Sequence, residues 1–223
     1  MKVNLISLFK FPFEDERWPY KFLLGSIFAI LPLLNFLTVG YTLRTFQAAI
    51  RKEPRMLPEW GNYKDLLILG VVGTLASVVY ALPIMALIML SVSISVLNEM
   101  MGSLMAIVIY LFSFGVAIIT PFILAAYLEN EDFKEVINFR RIYGNFRSCM
   151  SEYLKVFGVM FLLMIVSGYI GQGLPFIGIF ISLPLSLYIA LVTLRAFGEL
   201  YPYAAENLPD SDVVSSVAAV DSE

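Results

Sequence analysis

The chain has 223 residues, of which 59% are hydrophobic and 15% charged, with a net charge of −3. Its apolar residues fall in runs too long for the core of a soluble domain, so the class is a polytopic membrane protein with one membrane domain. Histidine is absent and Cys149 is the only cysteine, which removes the commonest general base, the commonest zinc ligand and any internal disulfide framework.

The first apolar piece ends at Lys10 and is followed by Pro12, Glu14, Asp15 and Glu16 without a small-residue cleavage site, so it does not read as a secretory signal. Val3, Leu5, Ile6, Leu8, Phe9, Phe11 and Phe13 suit a membrane interface, with Trp18 and Tyr20 at headgroup level. A loose terminus is the plainer alternative.

Residues 22–43 carry no charge and are long enough for one helical span at about 1.5 Å per residue. Pro32 offers a second reading, in which Pro32-Leu33-Leu34-Asn35 turns the chain within the membrane between two short arms, 18–30 and 36–52. Leu31 to Phe36 resembles Leu174 to Ile179 near the other end, and both lead to a matching exit, Leu43-Arg44-Thr45-Phe46 and Leu194-Arg195-Ala196-Phe197. Charge favours the turn. Lys and Arg collect on the cytoplasmic side, and the candidate outer turns at 32–35, 98–102 and 171–175 contain none. A hairpin places all fifteen basic residues inside, whereas a single span strands Lys2, Lys10, Arg17 and Lys21 outside.

The polar elbow after this segment carries most of the local information. Gly40 permits close helix packing, Tyr41 places a ring near the interface, and Arg44 reaches toward the headgroups. Pro54 and Pro58 end a basic helix, and Leu57-Pro58-Glu59-Trp60 forms a turn with Trp60 and Tyr63 as interfacial anchors. Glu59 is expected to dock onto Arg44, with Arg195 as the alternate partner. Trp18, Gly40-Tyr41-x-x-Arg44, Leu57 to Trp60 and Tyr80-Ala81-Leu82-Pro83 together resemble the prokaryotic integral membrane family known as domain of unknown function 4013. The pattern is clear over the first third and matches only in hydropathy beyond. The resemblance implies the class and brings no activity, cofactor or site residue.

Residues 65–97 and 100–128 read as a second hairpin turning at Asn98-Glu99, with kinks at Pro83 and Pro121 and a seam of Gly70, Gly73, Ala76 and Ser77. A second elbow holds an amphipathic helix at about 131–150. Phe139, Tyr143, Phe146, Met150 and Tyr153 recur on it at helical spacing, with Lys134, Arg140, Arg141 and Arg147 to one side. Such a helix suits an anionic membrane surface, and its Cys149 is open to acylation, although an unmodified small residue is the commoner use. Residues 154–171 and 174–201 form the third hairpin, bent at Pro184, before an acidic tail at 204–223 that reads as disordered.

The fold expected is all-α: three helical hairpins returning to cytoplasmic elbows, the first short or re-entrant, with five spans as the alternative. No catalytic, cofactor or metal constellation lies in the spans, whose acids Asp65 and Glu199 sit at cytoplasmic ends. A scaffold, lipid-binding or assembly component is the function expected, not an enzyme. A small permease with a site between proline-broken helices is the alternative. The structural or lipid-contact candidates are Arg44, Glu59, Trp60, Arg140, Arg141, Arg147 and Arg195. The expected partners are the bilayer, with anionic lipids among them, and a protein partner or second copy, but not nucleic acid. Location is the cell membrane with both termini cytoplasmic.

Overall fold

The computed structural model describes residues 5–173 and 177–206, all of whose regular structure is helical. The helices are α1 (Leu5–Lys10), α2 (Trp18–Ile30), α3 (Pro32–Ile50), α4 (Tyr63–Leu97), α5 (Glu99–Asn130), α6 (Phe139–Gly173) and α7 (Ile177–Glu206), with short 3-10 turns at Phe11–Glu14 and Phe133–Ile137. Residues 1–4, 174–176 and 207–223 lie outside this description, and with them part of the expected third turn and most of the acidic tail.

The uncharged stretch 22–43 is not one helix. Leu31 is extended (φ −93°, ψ 120°) because the ring of Pro32 disfavours helical backbone at the preceding residue. The Thr38 hydroxyl donates to the Gly25 carbonyl at 3.1 Å. In a continuous helix those two residues, 13 apart, would be separated by about 20 Å. The reversal uses Leu31 alone, so Pro32 to Asn35 form the first turn of α3, with the Asn35 N–H on the Leu31 carbonyl, and are not themselves the turn. With 13 residues, α2 is shorter than the roughly 20 needed to cross a bilayer.

Among the described residues four helical stretches are long and apolar enough to cross a membrane: Tyr63–Leu97, Glu99–Glu129, Phe139–Gly171 and Phe180–Tyr201. Only 11% of the most apolar part of the first is buried by the rest of the chain, so its surface requires an apolar surrounding. This is the make-up of a multi-pass membrane protein. Asn98 alone separates α4 from α5, and its side chain caps α5 by accepting from the Met101 N–H at 3.1 Å. The basic second elbow differs from expectation: Phe139–Gly173 is one unbroken helix, so the amphipathic segment is the first turns of α6 rather than a separate interfacial helix. Nothing between 150 and 154 breaks it, because no proline or glycine lies there.

From Leu5 the N-terminal segment is not loose but packs on the rest of the chain. Leu8 and Phe11 are buried, Tyr188 on α7 donates to the Phe9 carbonyl at 2.8 Å, and Phe13 packs on the Tyr188 ring. At the centre stands α3, which touches α2, α4, α5 and α7. It meets α4 backbone to backbone: a Cβ on Gly40 would overlap the Leu66 carbonyl, and one on Gly70 the Phe36 carbonyl. Gly40→Ala and Gly70→Ala should each cost about 1–3 kcal/mol or more, the usual range for overpacking. Gly158→Ala, whose Cβ would meet open space, should cost nothing measurable. Detergent unfolding of the three variants checks this, and equal stability of all three would contradict the contact.

Candidate functional site

Lys21 lies in the first turn of α2 and is 1% exposed. Its ammonium donates to Asp15 Oδ2 at 2.7 Å, Glu59 Oε1 at 2.8 Å and the Leu57 carbonyl at 3.2 Å, so all three N–H bonds are used. Burial raises the Asp15 carboxyl, but its bonds from the Lys21 ammonium and the Arg17 N–H outweigh that and hold it below the ordinary value of 3.8. The Lys21 carbonyl accepts from the Trp60 indole at 3.0 Å. Trp60 stacks on Tyr41 with ring centres 4.1 Å apart and planes at 6°, and the Tyr41 hydroxyl donates to the Pro58 carbonyl at 3.0 Å. The Leu-Pro-Glu-Trp turn is therefore held residue by residue against α2 and α3.

Two expectations are corrected by this geometry. Glu59 pairs with Lys21, not with Arg44 or Arg195. Trp60 is 8% exposed, so it is a packed core ring and not an interfacial anchor; Tyr63 is 47% exposed. Lys21 was hidden among residues whose count alone argued topology. The one usable signal was a lysine set inside the helix opened by Trp18 and Pro19, where an acid at Asp15 lies less than two turns away.

The paired exits also diverge. Phe46 and Phe197 are both buried, but Arg44 is exposed whereas Arg195 is 2% exposed. Arg195 donates to Glu199 at 3.2 Å and to the Glu53 carbonyl. Arg55 grips the same Glu199 with two bonds, 2.8 and 2.7 Å, which hold its guanidinium above the ordinary range despite burial. This ties the first elbow to α7 across 144 residues of sequence.

A third tie joins α3 to the end of α5: Gln47 and Arg51 both donate to Glu131 Oε1 at 3.0 Å. Between these fastenings lies a cleft of about 580 Å³ lined by Arg44, Gln47, Arg51, Glu53, Glu59 and Glu131 over a floor that includes Leu57 and Leu66. Among the described residues Arg44 has no hydrogen-bonded or ion-pair partner.

On α6 the three arginines separate. Arg141 is bound to Glu129 at 2.8 Å and Glu135 at 3.2 Å, and Glu129 also accepts from the Tyr201 hydroxyl at 2.9 Å. Arg140 and Arg147 are exposed on one face with Tyr143 and Met150. Cys149 is buried at 4% exposure, which disfavours acylation. Among the described residues no group of three or more metal-ligating side chains occurs.

A family model described as "Protein of unknown function (DUF4013)" matches residues 23–176. No curated protein and no solved structure matches the chain.

The Lys21 assignment has a direct measure. Lys21→Met should cost about 3–5 kcal/mol, since it leaves Asp15 and Glu59 facing each other without their cation. Because Glu59 is well exposed, its coupling to Lys21 in a double-mutant cycle should be only about 0.5–1 kcal/mol. Its coupling to Arg44 should be near zero, and the reverse ranking in detergent melts would refute the pairing.

Proposed function

The chain belongs to this family of unknown function, and we propose that it acts as a multi-pass membrane scaffold that binds anionic lipid. The observation that carries the reading is the free face of α6. Arg140, Tyr143, Arg147, Met150 and Leu154 follow at three- and four-residue steps, so they share one side of a helix. All five are exposed. The same side continues into the apolar part of the helix through Phe161 and Ile165, both exposed. A side that passes from arginine and tyrosine to bare hydrocarbon matches the passage from headgroup to acyl chain. Arg141, fastened to Glu129 and Glu135, fixes the rotation of α6 that presents this side.

Transport gains less support. That alternative leaned on helices broken at Pro32, Pro83, Pro121 and Pro184; the chain does break at Pro32, but α4, α5 and α7 run through the other three without interruption. In the arrangement proposed, α4 with α5 and α6 with α7 are transmembrane hairpins, α2 with α3 is a re-entrant pair, and the elbows face the cytoplasm of the cell. Reporter tags at Met1 and Glu223 should both read cytoplasmic; an external Met1 with an internal Glu223 would refute the re-entrant pair.

For lipid binding, Arg140→Gln with Arg147→Gln should lower retention of anionic lipid by about five- to thirtyfold, on about 1 kcal/mol for each suitably placed basic residue. Insertion and melting temperature should not change. Native mass measurement of retained lipid reads the effect, and unchanged retention rejects the reading. Arg141→Gln is the contrasting variant, expected to lower stability instead.

A further inference from the structure

The cleft beside Arg44 is a second lipid site, of different headgroup chemistry from the α6 face: we propose that it holds the headgroup of a zwitterionic phospholipid bearing a primary amine, its phosphate on Arg44 and its ammonium on Glu53. The inference uses the membrane placement argued above but is independent of the Arg140 face.

The charges of the lining decide the ligand class. Arg51 is committed to Glu131, which Gln47 also binds, and Glu59 gives one oxygen to the buried Lys21. That leaves Arg44 as a lining cation and Glu53 as a lining carboxylate, neither with a hydrogen-bonded side-chain partner among the described residues. Glu53 feels Arg195 only at longer range. One open cation beside the Glu53 carboxylate and the outer oxygens of Glu59 and Glu131, in a single cleft of about 580 Å³, calls for a ligand carrying both signs. A headgroup with only negative charge would gain Arg44 but face the carboxylates of Glu53, Glu59 and Glu131.

Depth decides the source. Gly40 packs on Leu66 and Phe36 on Gly70, so four residues forward on α3 correspond to four back on α4. One more such step leads from Gly40 to Arg44 and from Leu66 to Asn62, just before the apolar helix α4 begins at Tyr63. Arg44 therefore stands at the boundary where phospholipid phosphates lie. Glu53 follows the end of α3 at Ile50 and lines the same cleft as Arg44. The walls are fixed beforehand by Lys21, Arg51 and Tyr41, so little ordering is needed on binding.

A primary amine differs from choline in having N–H bonds to donate, and a charge-assisted bond to Glu53 is worth about tenfold in affinity. The test is competitive retention, by native mass measurement, of ethanolamine, choline and glycerol phospholipids with identical acyl chains. The ethanolamine lipid should be retained about tenfold over the choline lipid. Arg44→Gln should lower both. Glu53→Gln should bring ethanolamine down to the choline level, with the Arg195 bond to the residue 53 carbonyl preserved because only the side chain changes. Melting temperatures of both variants should match the parent, since both side chains are exposed and outside the ion-pair network. An Arg44→Gln protein that retains ethanolamine lipid unchanged overturns the proposal. So does equal binding of soluble glycerophosphoethanolamine, which would assign the cleft to a free zwitterion. Arg140→Gln with Arg147→Gln should leave ethanolamine retention intact, so the two lipid readings fail separately.

Discussion

A single ammonium, that of Lys21, fixes more of this molecule than any other group. Removing it from water costs several kcal/mol, which only a full set of acceptors offsets. Those acceptors come from the turn before α2 and from the connection between α3 and α4. The backbone of the same residue accepts the Trp60 indole. Lysine side chain and lysine carbonyl thus hold one four-residue turn from two sides, and Trp60 is laid flat on Tyr41 as a result. This holds in place a helix of 13 residues, shorter than the roughly 20 that a bilayer crossing needs.

From that fastening the rest is built through α3, which is not among the four long apolar stretches yet touches most of the other helices. Its glycine meets the α4 backbone, its Gln47 and Arg51 reach Glu131 beyond α5, and Phe46 packs in the core beside α7. The far halves of α4 and α5 receive no comparable support: Met89, Val96, Leu97, Met100 and Leu111 are at least half exposed. Polar bonds hold the elbow end together, while lipid takes the place of protein around the apolar end.

Hydropathy made the helical class legible because it depends on composition over many residues, and a single proline, Pro32, marked the reversal beside it. The seam of Gly70, Gly73 and Ala76 was legible for the same reason: small residues at helical spacing have few other uses in a membrane helix. Partner choice was not legible. Glu59 has several cations within plausible reach along the chain, and which one it meets depends on how α2 folds back, a tertiary fact with no local signature. The extent of α6 was missed for the opposite reason. A change from amphipathic to uniformly apolar pattern looks like a boundary, but a helix crosses it freely when no breaker intervenes.

Basic residues on one side of a membrane protein are usually explained by insertion alone. Here that explanation does not distinguish residues whose surroundings differ sharply. Lys21, Arg51, Arg55, Arg141 and Arg195 each have a carboxylate within 3.2 Å. They commit their charge within the chain, joining elbows to helices, with Arg51 the exposed member of the group. Arg44, Arg140 and Arg147 are exposed, and among the described residues none has a carboxylate partner. Topology would place both groups on the same side, but it gives no reason for the first to be paired and the second left open. The division follows if the first group builds the elbow and the second meets phosphate. Arg44 then differs from the α6 pair only in its neighbours: carboxylates share its cleft, whereas Tyr143 and Met150 flank the others. On that reading, the same guanidinium serves two different headgroups.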